Sequence, residues 1–531
     1  MNKKYCLTFI AISLFGSLAF SQNFQWVHSN PVAYTLNPSM SMYTVCTSPS
    51  GIVYGGRLDS MVFYFGDMFG IEKIDCYNSD GLLQWSYRLG QKAIIQRMAA
   101  DANGNLFAAG IFIDTLFLGS NDTLINTGPA LTTNAFLISL DSTGSLRWKR
   151  NLSPAHPNAD RIAAIRFDNN GSCWYGYAEF NNSNIIRIDS AGQDVLTRNI
   201  QGTRTLGGFD FDPHGNMFVS GGTKGGFTIG VGGISMTVND SYMMYIMRID
   251  VNGQGSWIRL GHDVTFQEPI VVCDPWGGAY MSGGLMDSVI WGNVILDRPQ
   301  WVYDFFLTRT DSIGNFSWGV EVPHTSTIIG DFQRGENMFM DADTLGNVYV
   351  TGITRGIVDW GHGVTTGMGA PTNNSISFLS FDANGIPRWS LEGNSNHYDG
   401  AYAISMNQNG ECYFAASVRD TAIFDTITVN EGGNLAFVLG KISPSIPTSI
   451  KSTTTDCHIH AYPNPATEKI TIVLDSPKSF FELHDVTGKL LKRGDVHFSS
   501  YELDLSSFKN GFYFLTIHDK NSQEHIKIVK E

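Results

Sequence analysis

Charged residues are scarce in this chain, and positive charge is the scarcer sign. Only 16% of the 531 residues are Asp, Glu, Lys or Arg, and the formal net charge is −14. Because phosphate backbones bind basic surfaces, this balance argues against a nucleic-acid partner. The thirteen histidines are dispersed, and HExxH, GxSxG, P-loop and protein-kinase motifs are missing from the sequence. The sequence therefore predicts no metal, no other cofactor and no catalytic residue, and it favours a non-enzymatic role.

Cysteine is also rare. Beyond the N-terminal segment six cysteines remain, widely spaced and without a CxxC pair, at positions 46, 76, 173, 273, 412 and 457. Disulfide frameworks and zinc sites need clustered thiols, so the spacing predicts neither. Cys173 and Cys412 each stand two residues after a turn glycine, at the start of an apolar run. We predict that both are small core residues.

Long apolar runs occur only at the N-terminus. Lys3 and Lys4 precede an apolar run that ends at Phe20, and Ala19 and Ser21 are small residues at the two positions that a signal peptidase recognises. We predict a signal peptide over residues 1–21, cleaved after Ser21. No later segment is apolar enough to predict a membrane span.

Glycine and phenylalanine, in contrast, are abundant, with 56 and 34 residues. Many of the glycines close a recurring pattern, an apolar strand followed by Asp/Asn-x-x-Gly and a second apolar strand, as in DANGNLFAAG (101–110). The side chain of Asp or Asn bonds the backbone of such a turn, and Gly takes its positive φ. Seven copies are anchored at glycines 51, 104, 171, 215, 277, 346 and 410.

A second hairpin follows each of the first six copies. It again contains Asp-x-x-Gly, and Trp usually stands four residues after the Gly, as in DSTGSLRW (141–148). In DSAGQDVL (189–196), Leu196 replaces the Trp. Each copy thus supplies two hairpins, or one four-stranded sheet that cannot bury its faces alone, so neighbouring sheets must stack.

The two ends of the array complement each other. The seventh copy lacks its Trp strand, whereas the mature N-terminus begins with NFQWVHSN, a Trp strand without a hairpin before it. If Trp26 fills the outer place of the last sheet, the ring closes. Residues 22–443 resemble the seven-bladed β-propeller repeats of bacterial secreted proteins. The predicted fold is all-β, a seven-bladed β-propeller followed by a small Ig-like β-sandwich.

A Pro/Ser/Thr-rich stretch, residues 444–456, reads as a linker, and the propeller pattern does not return after it. Residues 457–531 hold short alternating strands, which favour a β-sandwich. Four segments resemble the type A C-terminal sorting domain of the type IX secretion system: AYPNPATEKITI (461–472), HDVTGKLL (484–491), LDLSSFKNGFYFLTI (503–517) and KIVKE (527–531).

The resemblance implies passage across the outer membrane of a Bacteroidetes-type bacterium. The implied partners are the type IX secretion machinery and a sortase-like protease that removes the domain. The mature protein would then be joined to an anionic lipopolysaccharide or released. From the residues alone, the same segments are also ordinary turns and strand starts. The residues that carry the sorting signal are Tyr462, Pro463, Asn464, Pro465, Gly488, Lys489, Asn510, Gly511, Lys527 and Lys530.

Two surfaces of the predicted propeller are candidate sites. Both Asp-x-x-Gly turns of a sheet lie on one rim, so the long connections 117–134, 225–241, 287–303 and 357–376 lie on the other, where recognition loops are common. The expected exposed aromatics of that second rim are Trp291, Trp301, Tyr303 and Trp360. The innermost strands carry few titratable residues, mainly Arg97, Arg166 and Asp210.

These features leave two functions open. The first is a secreted or cell-surface binding protein for a glycan or a protein ligand. The alternative is an extracellular hydrolase or lyase with its site on a propeller face, which needs converging carboxylates and histidines. Asp210 with Asp212, and Asp341 with Asp343, also resemble fragments of calcium loops, but the turn role already accounts for Asp212 and Asp343.

Overall fold

The computed structural model describes residues 22–32, 43–64, 67–90, 92–119, 122–126, 128, 132–159, 161–262, 268–285, 288–296, 304–323, 330–367, 374–395, 399–443, 460–473, 479–485, 489–496, 500–518 and 523–530. All the secondary-structure elements within these ranges are β-strands, which confirms the all-β prediction. They form two compact units, one within Gln22–Ser445 and one within Ile446–Glu531. The predicted signal peptide and linker lie outside the described residues.

The first unit consists of antiparallel four-stranded sheets that follow one another along the chain, preceded by a single strand, β1 (Phe24–Pro31). The first sheet contains β2 (Thr44–Thr47), β3 (Val53–Tyr64), β4 (Asp67–Tyr77) and β5 (Leu83–Arg88). The second contains β6 (Ala93–Ala100), β7 (Leu106–Ile113), an inserted hairpin of β8 (Thr115–Leu118) and β9 (Asp122–Ile125), β10 (Thr133–Leu140) and β11 (Leu146–Asn151). The third contains β12 (Ile162–Phe167), β13 (Cys173–Ala178), β14 (Asn182–Ile188) and β15 (Asp194–Gln201).

The next two sheets each insert a hairpin after their second strand. The fourth contains β16 (Thr205–Phe211), β17 (Met217–Thr223), the hairpin of β18 (Thr228–Val231) and β19 (Ile234–Thr237), β20 (Met243–Ile249) and β21 (Gly255–His262). The fifth contains β22 (Ile270–Cys273), β23 (Ala279–Leu285), the hairpin of β24 (Val289–Trp291) and β25 (Val294–Leu296), β26 (Asp304–Thr310) and β27 (Phe316–Glu321).

The last two sheets depart from this plan. In the sixth, the innermost strand is split into β28 (Asp331–Arg334) and β29 (Met340–Ala342), followed by β30 (Val348–Arg355), the hairpin of β31 (Val358–Gly361) and β32 (Val364–Thr366), β33 (Asn374–Phe381) and β34 (Pro387–Ser395). The seventh contains β35 (Gly400–Met406), β36 (Cys412–Phe424) and β37 (Ile427–Ile442). Its outermost place is taken by β1, which pairs with β37 from Phe24↔Ile442 to Pro31↔Ala436, as the unpaired Trp26 strand predicts.

The sheets close into a ring. Each innermost strand contacts the innermost strand of the next sheet, in the cycle β2, β6, β12, β16, β22, β29, β35 and back to β2. A separate apolar core lies between each pair of neighbouring sheets, including one between the seventh sheet and the first. Cys173 and Cys412 lie in these cores at 5% and 1% exposure, as predicted. The apolar strands are therefore buried by stacking, which is the arrangement of a β-propeller.

The Asp-x-x-Gly turns have the predicted geometry. In the turn that begins at Asp141, the carboxylate accepts the backbone N–H groups of Thr143 and Ser145 at 2.9 Å each. Gly144 has φ +86°, and a Cβ there would lie 2.7 Å from the Trp85 ring. Gly is thus required both by the turn and by the tryptophan of the preceding sheet.

That tryptophan contact recurs around the ring. The indole N–H of the outer-strand Trp donates to a backbone carbonyl in the outer turn of the next sheet. The pairs are Trp26 with Ser79 (3.2 Å), Trp85 with Ser142 (2.9 Å), Trp148 with Ser190 (3.0 Å), Trp257 with Ser312 (3.0 Å) and Trp318 with Ala383 (2.9 Å). The sequence motif of Trp four residues after Gly is therefore an inter-sheet hydrogen bond.

The sixth sheet shows what happens when that acceptor is missing. Its Trp389 faces the seventh sheet, whose outer strands β37 and β1 come from opposite ends of the unit and have no turn between them. Among the described residues, the buried Nε1 of Trp389 has no hydrogen-bond partner. An unsatisfied buried donor costs stability.

This difference predicts unequal effects for two matching substitutions. Trp318→Phe removes a hydrogen bond to Ala383 and leaves its carbonyl unpaired, whereas Trp389→Phe removes a donor that has no acceptor. We expect Trp318→Phe to lower the free energy of unfolding by about 1 kcal/mol more than Trp389→Phe does. Chemical denaturation of the two variants measures the difference, and equal losses would contradict the hydrogen-bond account.

The second unit consists of two small sheets. One contains β38 (His460–Tyr462), β39 (Lys469–Val473) and β42 (Ser500–Asp504), and the other contains β41 (Leu490–Val496), β40 (Ser479–Asp485), β43 (Gly511–His518) and β44 (Gln523–Lys530). The core that they share includes Ile470, Phe481, Leu503, Leu515 and Ile528, each fully buried. Alternating apolar residues from both sheets thus form one sandwich interior.

Candidate functional site

The expected exposure of two rim aromatics is wrong. Trp291 is 3% exposed and Trp360 is 6% exposed. The Trp291 ring stacks on Phe316 with centroids 4.9 Å apart, and the indole N–H of Trp360 donates to Thr366 at 3.0 Å. Neither ring can stack on a ligand as placed. Trp301 and Tyr303 lie outside the described residues.

The inserted hairpins explain this burial. Those of the second, fourth, fifth and sixth sheets contact the outer strand of their own sheet, and some also contact the outer strand of the preceding sheet. Trp291 lies on such a hairpin, and a Cβ on Gly261 of the fourth sheet would lie 2.2 Å from its Nε1. The inserted hairpins therefore fill the space between neighbouring sheets, and Trp291 and Trp360 supply part of that packing.

A buried hydrogen-bonded group, here called the plug, connects innermost strands of several sheets and consists of Arg97, Asn337 and Gln96. The Arg97 guanidinium donates to the Asn337 side chain, to the Ala163 carbonyl (2.6 Å) and to the Gln96 carbonyl (2.8 Å). The Asn337 amide donates to the carbonyls of Tyr43 and Gln96 at 3.2 Å each. Burial, followed by repulsion from Arg161, lowers the pKa of Arg97 to about 9. The plug thus bonds the second sheet to the third and the sixth, and the sixth to the start of the first.

A pocket of about 370 Å³ occupies the end of the central channel that the Asp-x-x-Gly turns surround, here called the turn rim. Met98 and Met338, each adjacent in sequence to a plug residue, line it together with Met340 and Met406. Its polar lining includes Thr47, Ser48, Arg166, Asp210, Asp341, Ser405, Asn407 and Gln408. The turn-rim pocket thus combines hydrogen-bonding groups with an apolar thioether surface.

The charged groups of this pocket are one arginine and two carboxylates. Arg166 Nε lies 3.6 Å from Asp210 Oδ1. Asp210 Oδ2 accepts the backbone N–H of Cys273 at 2.8 Å, and the Asp341 carboxylate accepts those of Met406 (2.7 Å) and Ala342 (2.9 Å). Burial raises the pKa of Asp341 to about 6, and burial also raises the pKa of Asp210. Both carboxylates thereby join their own innermost strand to that of the next sheet.

Sequence reasoning identified Arg166 and Asp210 as channel residues but missed Asp341 as their companion. Asp341 stands in the split innermost strand of the sixth sheet, which is interrupted between β28 and β29. Its place two residues before a turn Asp, as Asp210 stands two residues before Asp212, is the signal that could have found it.

The opposite end of the channel holds an ion pair that the sequence did not indicate. Arg161 and Glu268 lie 2.7 Å apart, each just before the innermost strand of its sheet. Burial raises the pKa of Glu268, while Arg161 and Arg97 oppose that shift. This pair links the third and fifth sheets at the end of the channel opposite the Asp-x-x-Gly turns.

The calcium alternative finds no support at the two turns. Asp212 accepts the N–H groups of His214 and Asn216, and Asp343 accepts those of Leu345 and Asn347. Over the described part of the chain, no cluster of three or more His, Cys, Asp or Glu side chains could hold a metal ion. These aspartates act as turn acceptors.

In the second unit, Asn464 ties the first sorting segment to the last. Its side-chain amide donates to the Lys527 carbonyl at 2.6 Å, and its side-chain oxygen accepts the N–H of Val529 at 2.8 Å. Ala466 N–H also donates to the Val529 carbonyl at 2.8 Å. The Tyr462–Pro463 and Asn464–Pro465 peptides are cis. The Pro-Asn-Pro segment is thus bonded along strand β44.

The other predicted sorting residues lie at turns and strand ends. Lys489 exchanges hydrogen bonds with Asp485 across a hairpin turn, and Gly488 lies outside the described residues. Asn510 precedes β43, where Gly511 pairs with Lys530. Lys527 places its ammonium 4.0 Å from the Phe512 ring centroid. The four sorting segments therefore form one continuous structure.

Comparison with known proteins identifies the second unit. Residues 460–531 match the family described as secretion system C-terminal sorting domain. No curated protein matches the chain. A solved protein of unknown function from Bacteroides caccae is 12% identical, with 54% of this chain and 84% of that chain covered and a TM-score of 0.32.

Two further solved structures resemble larger parts of the chain. PorZ of Porphyromonas gingivalis, described as an essential bacterial surface component of the type-IX secretion system, is 10% identical over 92% of this chain and 70% of its own, with a TM-score of 0.25. Prolyl oligopeptidase B of Galerina marginata is 7% identical over 86% and 56%, with a TM-score of 0.35. Such low values say nothing about activity.

Among the described residues, no helix has the length and apolarity that a membrane span requires. This family match confirms the resemblance predicted from the four segments. The sorting domain engages the type IX secretion machinery. The chain carries a type IX secretion system C-terminal sorting domain at residues 460–531 and is a protein secreted across the outer membrane to the cell surface or the extracellular space.

Proposed function

We propose that the first unit is a binding module, and that it holds a polyhydroxylated sugar at the end of a glycan in the turn-rim pocket. The observation that carries the proposal is the lining of a pocket of about 370 Å³ by donors and acceptors beside four methionines. Sugars present hydroxyl groups at their edges and apolar C–H faces, and such a lining complements both.

The hydrogen bonds of the carboxylates favour binding over hydrolysis. In a glycosidase, two carboxyl groups must be available to the substrate as acid and base or nucleophile. Here Asp210 and Asp341 each accept backbone N–H groups from the next sheet, and no histidine lines the pocket. These bonds give both carboxylates a structural role between sheets, which favours binding over the hydrolase alternative.

Arg166 offers the direct test of binding. The full chain is applied to a glycan array, and the affinity of the best glycan is measured by calorimetry for wild type and Arg166→Met. We expect roughly 10-fold or greater weakening, because a charge-assisted hydrogen bond contributes about 1.5–3 kcal/mol. The control is Arg388→Met, which removes an arginine bonded to Ser380 outside the pocket.

Unchanged affinity in Arg166→Met would place the glycan elsewhere. A protein ligand instead of a glycan, or hydrolysis of the bound glycan that Asp341→Asn abolishes, would overturn the proposal in favour of its alternatives.

The raised pKa of Asp341 predicts a pH-dependent stability difference. The folded protein binds this proton more tightly than the unfolded chain does, since the pKa rises from 3.8 to about 6. The contribution of Asp341 to stability therefore falls as the pH rises from about 4 to 6. Asp341→Asn lacks this loss, so its melting temperature relative to wild type should be higher at pH 7 than at pH 4. A constant difference between the two proteins would contradict the shift.

The fate of the sorting domain is part of the proposal. A sortase-like protease removes it near residues 443–461, and the mature propeller is then attached to an anionic lipopolysaccharide or released. Mass spectrometry of the mature C-terminus from a native-type host tests the cleavage. A mature protein that retains residues 460–531 would contradict it.

A further inference from the structure

The third sheet breaks the tryptophan pattern of the ring. Leu196 stands where five other outer strands place a Trp that donates to the next outer turn. The Arg198 guanidinium instead lies against Gly253 of that turn, with Nη2 at 3.5 Å from the Val251 carbonyl. In the fourth sheet, Arg259 stands at the same position as Arg198, two residues beyond Trp257, and it donates at 2.9 Å to Gly314. Arg198 is thus held only weakly.

The missing indole leaves a cleft between the third and fourth sheets. This cleft has a volume of about 250 Å³ and opens on the turn rim, and its lining includes Trp174, Arg187, Leu196, Arg198, His214 and Val251. It is separate from the turn-rim pocket, with which it shares no lining residue. We call it the Leu196 cleft.

Two guanidinium groups, those of Arg187 and Arg198, line this cleft together with two carboxylates. Among the described residues, neither Arg187 nor Arg198 lies within ion-pair distance of a carboxylate. Burial, followed by repulsion from Arg187, lowers the pKa of Arg198, while attraction to Asp250 opposes that shift. A bound anion would relieve this repulsion.

The carboxylates that line the cleft are already used. Asp168 accepts the indole N–H of Trp174 at 2.9 Å and two backbone N–H groups of its own turn. Asp250 accepts the N–H groups of Asn252 (2.9 Å) and Gln254 (2.8 Å). The guanidinium groups therefore remain the groups free to bind a ligand.

An apolar surface accompanies the two cations. The Arg187 guanidinium lies 5.8 Å from the Trp174 ring centroid, and Leu196 and the 57%-exposed Val251 contribute aliphatic surface. A guanidinium pair matches a carboxylate, and the aliphatic surface matches the C–H face of a sugar ring. We propose that the Leu196 cleft is a second binding site, for a hexuronate unit of an acidic polysaccharide.

The test measures ligand binding before and after a tryptophan side chain is placed in the cleft. Calorimetry with the full chain uses tetragalacturonate as the acidic probe, cellotetraose as the neutral probe and inorganic sulfate as the anion without a sugar. We expect wild type to bind tetragalacturonate, and both other probes to bind at least 10-fold more weakly. Leu196→Trp restores the pattern of the other sheets, so it should keep or raise the melting temperature and abolish binding. Arg187→Met should weaken binding roughly 10- to 100-fold.

Two controls separate the cleft from other effects. Leu82→Trp adds the same side chain at a 64%-exposed position of the same rim and should leave binding unchanged. Arg388→Met, which removes an arginine outside both pockets, should also leave it unchanged, and the Arg166→Met measurement with its own glycan tests the turn-rim pocket separately. The proposal is overturned if wild type does not bind tetragalacturonate, if cellotetraose or sulfate binds equally well, or if Leu196→Trp and Arg187→Met both bind as wild type does.

Discussion

Deleting Phe24–Pro31 should prevent the first unit from forming a stable ring. The deletion removes the outermost strand of the seventh sheet and leaves the edge of β37 unpaired from Ala436 to Ile442. It also removes the Phe24 ring, which lies 5.2–5.6 Å from the rings of Phe378, Phe414 and Phe424. An exposed apolar strand edge promotes aggregation, so we expect loss of soluble protein or a large fall in melting temperature.

Two single substitutions provide reference values for the destabilisation caused by this deletion. Phe24 is 4% exposed, and Phe24→Ala should destabilise the first unit by about 3–5 kcal/mol, a large part of the stability of an ordinary domain. The matched control is Phe117→Ala, at a 52%-exposed ring on an inserted hairpin, which should cost much less. Thermal and urea unfolding compare the three variants, and an unchanged melting temperature on deleting β1 would refute ring closure through this strand.

Removing Lys527–Glu531 should trap the protein in the periplasm. The truncation removes half of the pairing between β44 and β43, from Phe514↔Lys527 to Gly511↔Lys530. It also removes both backbone partners of the Asn464 side chain. Because the sorting segments form one structure, the end of the chain cannot be lost without disturbing the Pro-Asn-Pro segment. The first unit has its own cores and should stay folded.

A single substitution distinguishes the loss of the Asn464 hydrogen bonds from the loss of residues 527–531. Asn464→Ala keeps the full chain but leaves the Lys527 carbonyl and the Val529 N–H without their partner, so we expect reduced surface delivery. Ser506→Ala, which removes a bond to Asp504 in an exposed turn of the same unit, is the control and should be exported normally. Fractionation and immunoblotting measure export. Normal surface delivery of the truncated chain would show that the last five residues are dispensable.

The sequence predicted the features that are local and repeated. An Asp-x-x-Gly turn needs only its own five or six residues, so Asp141 and its hydrogen bonds were predictable from one copy. The Trp motif predicted paired strands, and the unpaired Trp26 strand predicted the closing partner of β37. The sorting segments were recognisable because their order and spacing are kept along the chain.

Only the tertiary structure decided what lies between sheets. Trp291 and Trp360 stand in long connections and look exposed in sequence, but the inserted hairpins fold against neighbouring sheets and bury them. Arg166, Asp210 and Asp341 line one pocket because three different sheets meet at the channel. The Leu196 cleft likewise arises from one residue in the third sheet and two turns in the fourth. The alternation of apolar and polar residues determines which face of a strand is apolar. Which sheet packs against that face is decided by ring closure, and no single copy of the repeat encodes it.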